Sequence, residues 1–180
     1  MRALEREANA QRLLMAGERE KAAEAFREVA EFYRRSWEEA HEGAYGRLAG
    51  MMKAAVLAGD AGEDATYVRE QIAHADSPAS AWALALASLV VGDDSGARTA
   101  AETMGEGDEA FGRAAEAVDA LATGDGRRYT DTLSAIVRDF ESREDHLTGV
   151  AIADTAVALE RLAEARGLAA RPTSPIVPNP

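Results

Sequence analysis

Histidine and cysteine, the side chains that most often bind metals or act as nucleophiles, are scarce in this sequence. It contains no cysteine and three histidines, His41, His74 and His146. His41-Glu42 begins like the zinc motif His-Glu-x-x-His, but the second histidine is replaced by Tyr45. No histidine has a second ligand at helical spacing. The sequence therefore predicts no metal site, and the lack of cysteine excludes disulfides, thiolate zinc sites and thiol nucleophiles.

Asp154 is the one charged residue in the apolar stretch 147–159. A buried carboxylate is costly unless it is paired or hydrogen-bonded, so we expect Asp154 to meet Arg47, Tyr129 or a helix N-terminus. We interpret Asp154, His146 and Tyr129 as candidates for a buried polar anchor. The alternative is a pocket in which Asp154 and His146 bind a small ligand or act as catalysts with perturbed pKa values. No second carboxylate or nucleophile is linked to Asp154 by a motif, so the sequence predicts neither an enzyme nor a cofactor.

Aromatic residues are few, and several cluster around the end of one amphipathic stretch. Trp37 and Tyr45 are of the types that anchor protein interfaces, although a stripe at helical spacing more often belongs to a core. The following segment has small residues every four positions at Gly46, Gly50 and Ala54. It lacks the Lys-Ser or Lys-Thr of a phosphate loop, so it predicts a close helix–helix contact.

Two basic residues, Arg47 and Lys53, accompany these small residues. We interpret them as part of a solvated helix face. In the alternative interpretation Arg47 joins Trp37 and Tyr45 in contacting a partner.

The charge balance restricts the class of partner. The 180 residues include 32 acidic and 20 basic side chains, a net charge of −12. Nucleic acids and anionic membranes attract positively charged proteins, so neither is expected as a partner. The segment 1–11 lacks the apolar core of a signal peptide, and no uncharged run reaches the length of a membrane span. We expect a cytoplasmic protein.

Helical periodicity dominates the chain, and alternating strand patterns are absent. Four Gly-acid pairs, at residues 17, 59, 92 and 124, separate apolar stretches, as a glycine that ends one helix and an acid that begins the next would do. Four of the five prolines lie in the last nine residues. The sequence thus predicts one all-α domain over 1–167 and a Pro-rich extended tail over 168–180. Helices are expected near 3–16, 18–41, 44–58, 62–75, 78–91, 95–104, 108–123, 126–143 and 147–166.

The segment 10–33 resembles the turn of a tetratricopeptide repeat. Leu13-Leu14-x-x-Gly17 is followed by Ala22 and Phe26, where that family has a small residue and an inter-repeat aromatic. The helix pattern predicts about nine helices in stacked antiparallel hairpins; the resemblance implies a degenerate repeat of this family, and a compact helical bundle would satisfy the same pattern. The resemblance also implies a non-enzymatic module that binds a protein or peptide.

A second resemblance covers 145–149, the helix after it and the tail. These residues are similar to the C-terminal end of certain all-helical immunity proteins of bacterial polymorphic-toxin systems. This resemblance implies direct binding and blocking of a toxin.

The leading hypothesis from the sequence is a helical-repeat adaptor that uses Trp37, Tyr45 and Arg47. The alternatives are an immunity protein, and a ligand-binding protein or enzyme that uses Asp154 and His146.

Overall fold

The computed structural model describes residues 3–179 of the chain, and this part is all helical, without strands, as the sequence predicted. Its nine helices are α1 Ala3–Met15, α2 Arg19–Glu38, α3 Gly46–Ala58, α4 Gly62–Gln71, α5 Pro78–Val91, α6 Asp94–Met104, α7 Glu109–Thr123, α8 Gly126–Glu141 and α9 Asp154–Arg166.

Local sequence explains the boundaries around α5 and α6. At the start of α5, the Ser77 side chain accepts the backbone N–H of Ser80, and Pro78 occupies the first helical position, where it loses no hydrogen bond. At the end of α5, Gly92 has a φ of 76°, the left-handed conformation that glycine adopts without strain. Asp93 then caps α6 by accepting the N–H of Gly96. The Gly-acid pair at 92 therefore both ends and begins a helix, as predicted.

The odd-numbered helices from α3 onward form a closed inner ring. Helix α3 packs against α5, α5 against α7, α7 against α9, and α9 returns to α3. The even-numbered helices α2, α4, α6 and α8 pack on the outside, and α1 packs on α2. The arrangement is a compact helical bundle, and the contact between α9 and α3 closes it.

Alanine makes this close packing possible, because its small side chain lets helix axes approach. Helix α5 has no charged residue, and Ala81, Ala83, Ala85, Leu86 and Ala87 on it are buried, which confirms the prediction that this helix is buried on most sides. Although α5 is apolar, no helix among the described residues is long and apolar enough to cross a bilayer.

The last helix begins later than the sequence predicted. The expected start was 147, whereas α9 begins at Asp154 and residues 142–153 form a loop. Gly149 has a φ of 72°, which interrupts a right-handed helix, and the side chain of Leu147 is 82% exposed. Apolar composition alone suggested a buried helix here, but this loop instead connects α8 to α9.

The tail after α9 lies against the helices. Ile176 is buried, and its carbonyl oxygen accepts the backbone N–H of Ala153 at 2.9 Å. The Ser174 hydroxyl donates to Glu141 at 2.6 Å. The tail therefore fixes the backbone immediately before α9.

The small residues of α3 serve the contact with α2. A Cβ atom at Gly50 would lie 2.9 Å from Cζ of Tyr33, closer than real Cβ contacts, whereas one at Gly46 would meet nothing within 4 Å. The close approach predicted from the Gly46, Gly50 and Ala54 spacing therefore depends on Gly50, which faces the Tyr33 ring.

We expect Gly50→Ala to lower the free energy of unfolding by about 1–3 kcal/mol, because the new methyl group overpacks the contact with Tyr33. Gly46→Ala is the matched control, and it should be neutral or slightly stabilising since alanine favours the helix. Urea denaturation of both variants measures the difference. Equal stability of the two variants would contradict this account of the α2–α3 contact.

Candidate functional site

A cavity of about 210 Å³ lies where α9 closes onto α3, beneath the α8–α9 loop. Helices α1, α3, α7, α8 and α9 and the loop all contribute to its lining. The polar lining residues are Glu7, Gln11, Lys53, Arg113, Asp139, Arg143, His146, Thr148, Asp154 and Thr155. We call this space the closure cavity. In a bundle whose interior is mostly alanine and leucine, it concentrates the inward-facing charge.

An ion pair between Lys53 and Asp154 spans the ring closure. The Lys53 ammonium on α3 donates to Oδ2 of Asp154 on α9, and both side chains are largely buried. Oδ1 of the same carboxylate accepts the backbone N–H of Thr155 at 2.8 Å. Burial acts to lower the pKa of Lys53, but the negative charges of Asp154 and Glu7 more than offset it, so the pKa is raised. Lys53 therefore stays protonated at neutral pH.

Helix α1 adds two buried polar side chains to the cavity. The Tyr33 hydroxyl donates to Glu7 Oε2 at 2.8 Å, and burial, with the charges of Glu7 and Asp154, raises the pKa of Tyr33. The Thr148 hydroxyl donates to the carboxamide oxygen of Gln11, and this bond ties the α8–α9 loop to α1. Both Glu7 and Gln11 are buried.

A second group of charged residues also lines the cavity. Asp139 on α8 bridges two arginines, accepting from Arg113 and from Arg143 at 2.7 Å each. The Arg143 guanidinium also lies 3.7 Å from the centroid of the Phe140 ring, against which His146 stacks at 6.4 Å between centroids. These contacts hold His146 at the edge of the cavity.

The structure brings two of the predicted site residues together and separates the third. Asp154 and His146 both line the closure cavity. Tyr129 lies elsewhere: it is fully buried, and its hydroxyl donates to Glu160 at 2.9 Å. Burial and the charge of Glu160 raise the pKa of Tyr129, so it remains a neutral donor.

The partner of Asp154 differs from the sequence expectation. Of the groups proposed for it, only a helix N-terminus is present, through the Thr155 N–H of its own helix. Arg47 instead donates to the Ser36 carbonyl oxygen near the end of α2. The interpretation of Lys53 as a solvated residue was wrong, because its side chain is directed into the closure cavity against Asp154.

The predicted partner-binding residues form a separate cluster at the α2–α3 connection. Trp37 stacks on Tyr45 at 5.5 Å between centroids, and its indole N–H donates to Gln71 at 3.3 Å. All three residues, Trp37, Tyr45 and Arg47, are partly exposed. Their use as a binding surface stays a prediction.

Sequence inspection missed most of the cavity lining. Glu7 and Gln11 lie one helical turn apart in α1, and the buried Leu14 follows at the next helical step. That spacing on an otherwise apolar face was the available signal. For Arg113, Asp139 and Arg143 the local sequence offers no such signal, because charged residues on amphipathic helices are usually solvated.

No group of three or more histidine, aspartate or glutamate side chains in the described part of the chain is arranged to hold a metal ion. Comparison with protein-family models, curated proteins and solved structures found no significant match. The resemblances to tetratricopeptide repeats and to immunity proteins therefore stay predictions. Function must be inferred from the cavity itself.

We expect Asp154→Asn to lower the free energy of unfolding by about 3 kcal/mol, because it leaves the Lys53 ammonium buried without its counter-ion. Lys53→Met should cost less, about 1–2 kcal/mol, because the remaining carboxylate keeps its favourable place at the N-terminus of α9. Urea denaturation at neutral pH measures both losses.

The double variant Lys53→Met/Asp154→Asn provides the control for direct coupling. Its loss should be smaller than the sum of the two single losses, since neither charge is then left unpaired. If the losses of unfolding free energy are additive, the pair does not stabilise the closure. The same conclusion follows if Lys53→Met loses more stability than Asp154→Asn.

Proposed function

We propose that this protein binds a small polar molecule in the closure cavity. The observation that carries the proposal is the convergence of six charged side chains, from α1, α3, α7, α8, α9 and the α8–α9 loop, on one cavity. Asp154 and His146, the residues of the ligand-binding hypothesis from the sequence, are among the lining residues.

The energetics of buried charge support a binding role. Replacing a buried ion pair with well-packed apolar residues is often neutral or stabilising, so such a pair is weak evidence for a purely structural role. Alanine in place of Lys53 and Asp154 would match the alanine-rich packing of the other helices in the ring. Charged groups held in fixed positions by one another are instead suited to recognising a polar ligand, because their orientation is set before binding.

The dimensions of the cavity limit the ligand. A volume of about 210 Å³ has room for several water molecules. It is smaller than the several hundred Å³ typical of drug-sized ligands. A compact polar metabolite-sized molecule fits this space, and a folded protein segment does not.

Screening a library of small polar compounds by ¹H–¹⁵N NMR tests the proposal. A ligand should shift the amide resonances of Gln11, Thr148 and Thr155, which surround the cavity. Ala110 also lines it, so Ala110→Phe should reduce affinity at least about tenfold by filling the space.

Ala165→Phe is the matched control. Like Ala110, Ala165 is an exposed alanine on a helix, but it lies near the end of α9 and is not among the residues that line the closure cavity. This variant should bind as the unmodified protein does. A ligand that binds Ala110→Phe with unchanged affinity lies outside the closure cavity. A library without any binder would refute the proposed function.

A protein partner is the second candidate function, and the exposure of Leu147 favours it. This residue is 82% exposed at the edge of the cavity, in the loop that joins α8 to α9. It is the most exposed large apolar side chain in the described part of the chain, so a partner that covered it would remove apolar surface from water. A protein partner agrees with both the adaptor hypothesis and the immunity-protein hypothesis. The other candidate surface for that partner is the cluster of Trp37, Tyr45 and Arg47.

Affinity capture with the unmodified protein, Leu147→Ser and Trp37→Ala distinguishes these two surfaces. If the loop binds the partner, Leu147→Ser should lose it and leave the thermal unfolding temperature unchanged, because the leucine contributes little to the core. Val91→Ser is the control, since Val91 is also an exposed large apolar residue. If Leu147→Ser still captures the partner and Trp37→Ala does not, the interface lies at the α2–α3 cluster instead.

A further inference from the structure

Charge is distributed unevenly along the closure cavity. The inner group is the most buried: Glu7 is 6% exposed, and the side chains of Lys53 and Asp154 are 19% and 14% exposed. The outer group is more accessible, with the side chains of Arg113, Asp139 and Arg143 at 26%, 29% and 38%. At neutral pH the formal charges sum to −1 for the inner group and +1 for the outer group. The more buried charged residues of the lining are therefore net negative, and the more exposed ones are net positive.

The inner end has hydrogen-bonding capacity that the protein does not use. The described hydrogen bonds occupy Oε2 of Glu7, through Tyr33, and one end of the Gln11 carboxamide, through Thr148. None of the hydrogen bonds described within residues 3–179 uses the amide nitrogen of Gln11, which lines the cavity. A ligand in the cavity can therefore accept a hydrogen bond from it.

The outer end has spare donors of the opposite kind. Arg143 has five N–H donors, and the hydrogen bonds described for it use one, to Asp139. Arg113 contacts Asp139 through one terminal nitrogen, and its other terminal nitrogen donates to Glu109 at 3.4 Å, outside the cavity lining. The planar guanidinium group matches the two oxygens of a carboxylate, so two arginines at the edge favour a carboxylate there.

We propose that the ligand of the closure cavity is a small zwitterion of the α-amino acid class, with its ammonium group at the inner end near Glu7 and Asp154 and its carboxylate at Arg113 and Arg143. This inference rests on the proposed function and specifies its ligand.

Isothermal titration calorimetry with a defined set of probes tests the chemical class. The set contains glycine, L-serine, L-leucine and L-glutamine, each compared with its N-acetyl derivative and its carboxamide. N-acetylation removes the ammonium charge and amidation removes the carboxylate charge. At least one parent amino acid should bind, and each modification should weaken it about tenfold or more.

Two variants test the orientation. Glu7→Gln keeps an acceptor for Tyr33 but removes the inner negative charge, so it should weaken the parent amino acid about tenfold and leave the N-acetyl derivative unaffected. Arg143→Gln should weaken the parent and leave the carboxamide unaffected. The matched controls are Glu24→Gln and Arg138→Gln, which change exposed residues outside the cavity lining. Circular dichroism verifies that every variant is folded.

The outcomes separate the inference from the proposed function. If the N-acetyl derivatives or carboxamides bind as tightly as the parents, or if none of these probes binds while another compound of the polar library does, the zwitterion inference is overturned and the proposed function stands. If Glu7→Gln instead weakens the N-acetyl derivative, the orientation is overturned. If no compound of either set binds, both proposals fail.

Discussion

The ion pair between Lys53 and Asp154 is the interaction on which the closed arrangement depends. Each helical hairpin can pack on the next without fixing where the series ends, and the contact of α9 with α3 turns the series into a ring. Asp154 is the first residue of α9, where its carboxylate accepts the Thr155 N–H, and it also pairs with Lys53 on α3. The partial positive charge of a helix N-terminus favours the carboxylate at this position. The first turn of α9 and the closure of the ring therefore share one charged side chain.

The neighbouring segments are arranged around that position. The tail holds Ala153 through the Ile176 carbonyl, and the Thr148–Gln11 bond holds the α8–α9 loop against α1. Alanine-rich surfaces are smooth and pack in several registers at similar cost. A charged pair is different, because any slip of α9 along α3 would separate the charges while they remain buried. The pair thus contributes specificity of packing, and the space it leaves above it is the closure cavity.

Features that depend on local sequence were predictable, and features that depend on long-range contact were not. Ser77-Pro78 and the Gly-acid pair at 92 set helix ends through their own backbone, so inspection located them. Asp154 stood out as the single charge in an apolar stretch. Its partner Lys53 lies 101 positions away, and nothing in the sequence around Lys53 distinguishes it from a solvated lysine.

The loop 142–153 was predicted as helix because its composition is apolar, whereas Gly149 and the tail determine its path. Glu7 and Gln11 were overlooked because short-range patterns do not reveal which face of α1 meets a cavity.

Ring closure also changes where this fold can bind anything. An open stack of hairpins exposes the concave face of its inner helices, but here α3, α5, α7 and α9 pack on one another in a ring. The cluster at the α2–α3 connection and the closure cavity are the two places where predicted site residues lie. On the outer side, Trp37 already donates to Gln71 at the end of α4, and Arg47 donates to the Ser36 carbonyl near the end of α2. At the closure, Gln11 and Arg143 keep donors that no described hydrogen bond uses. Unused capacity held in a rigid surround is what distinguishes a binding site from a structural contact, and it favours the closure cavity over the α2–α3 cluster.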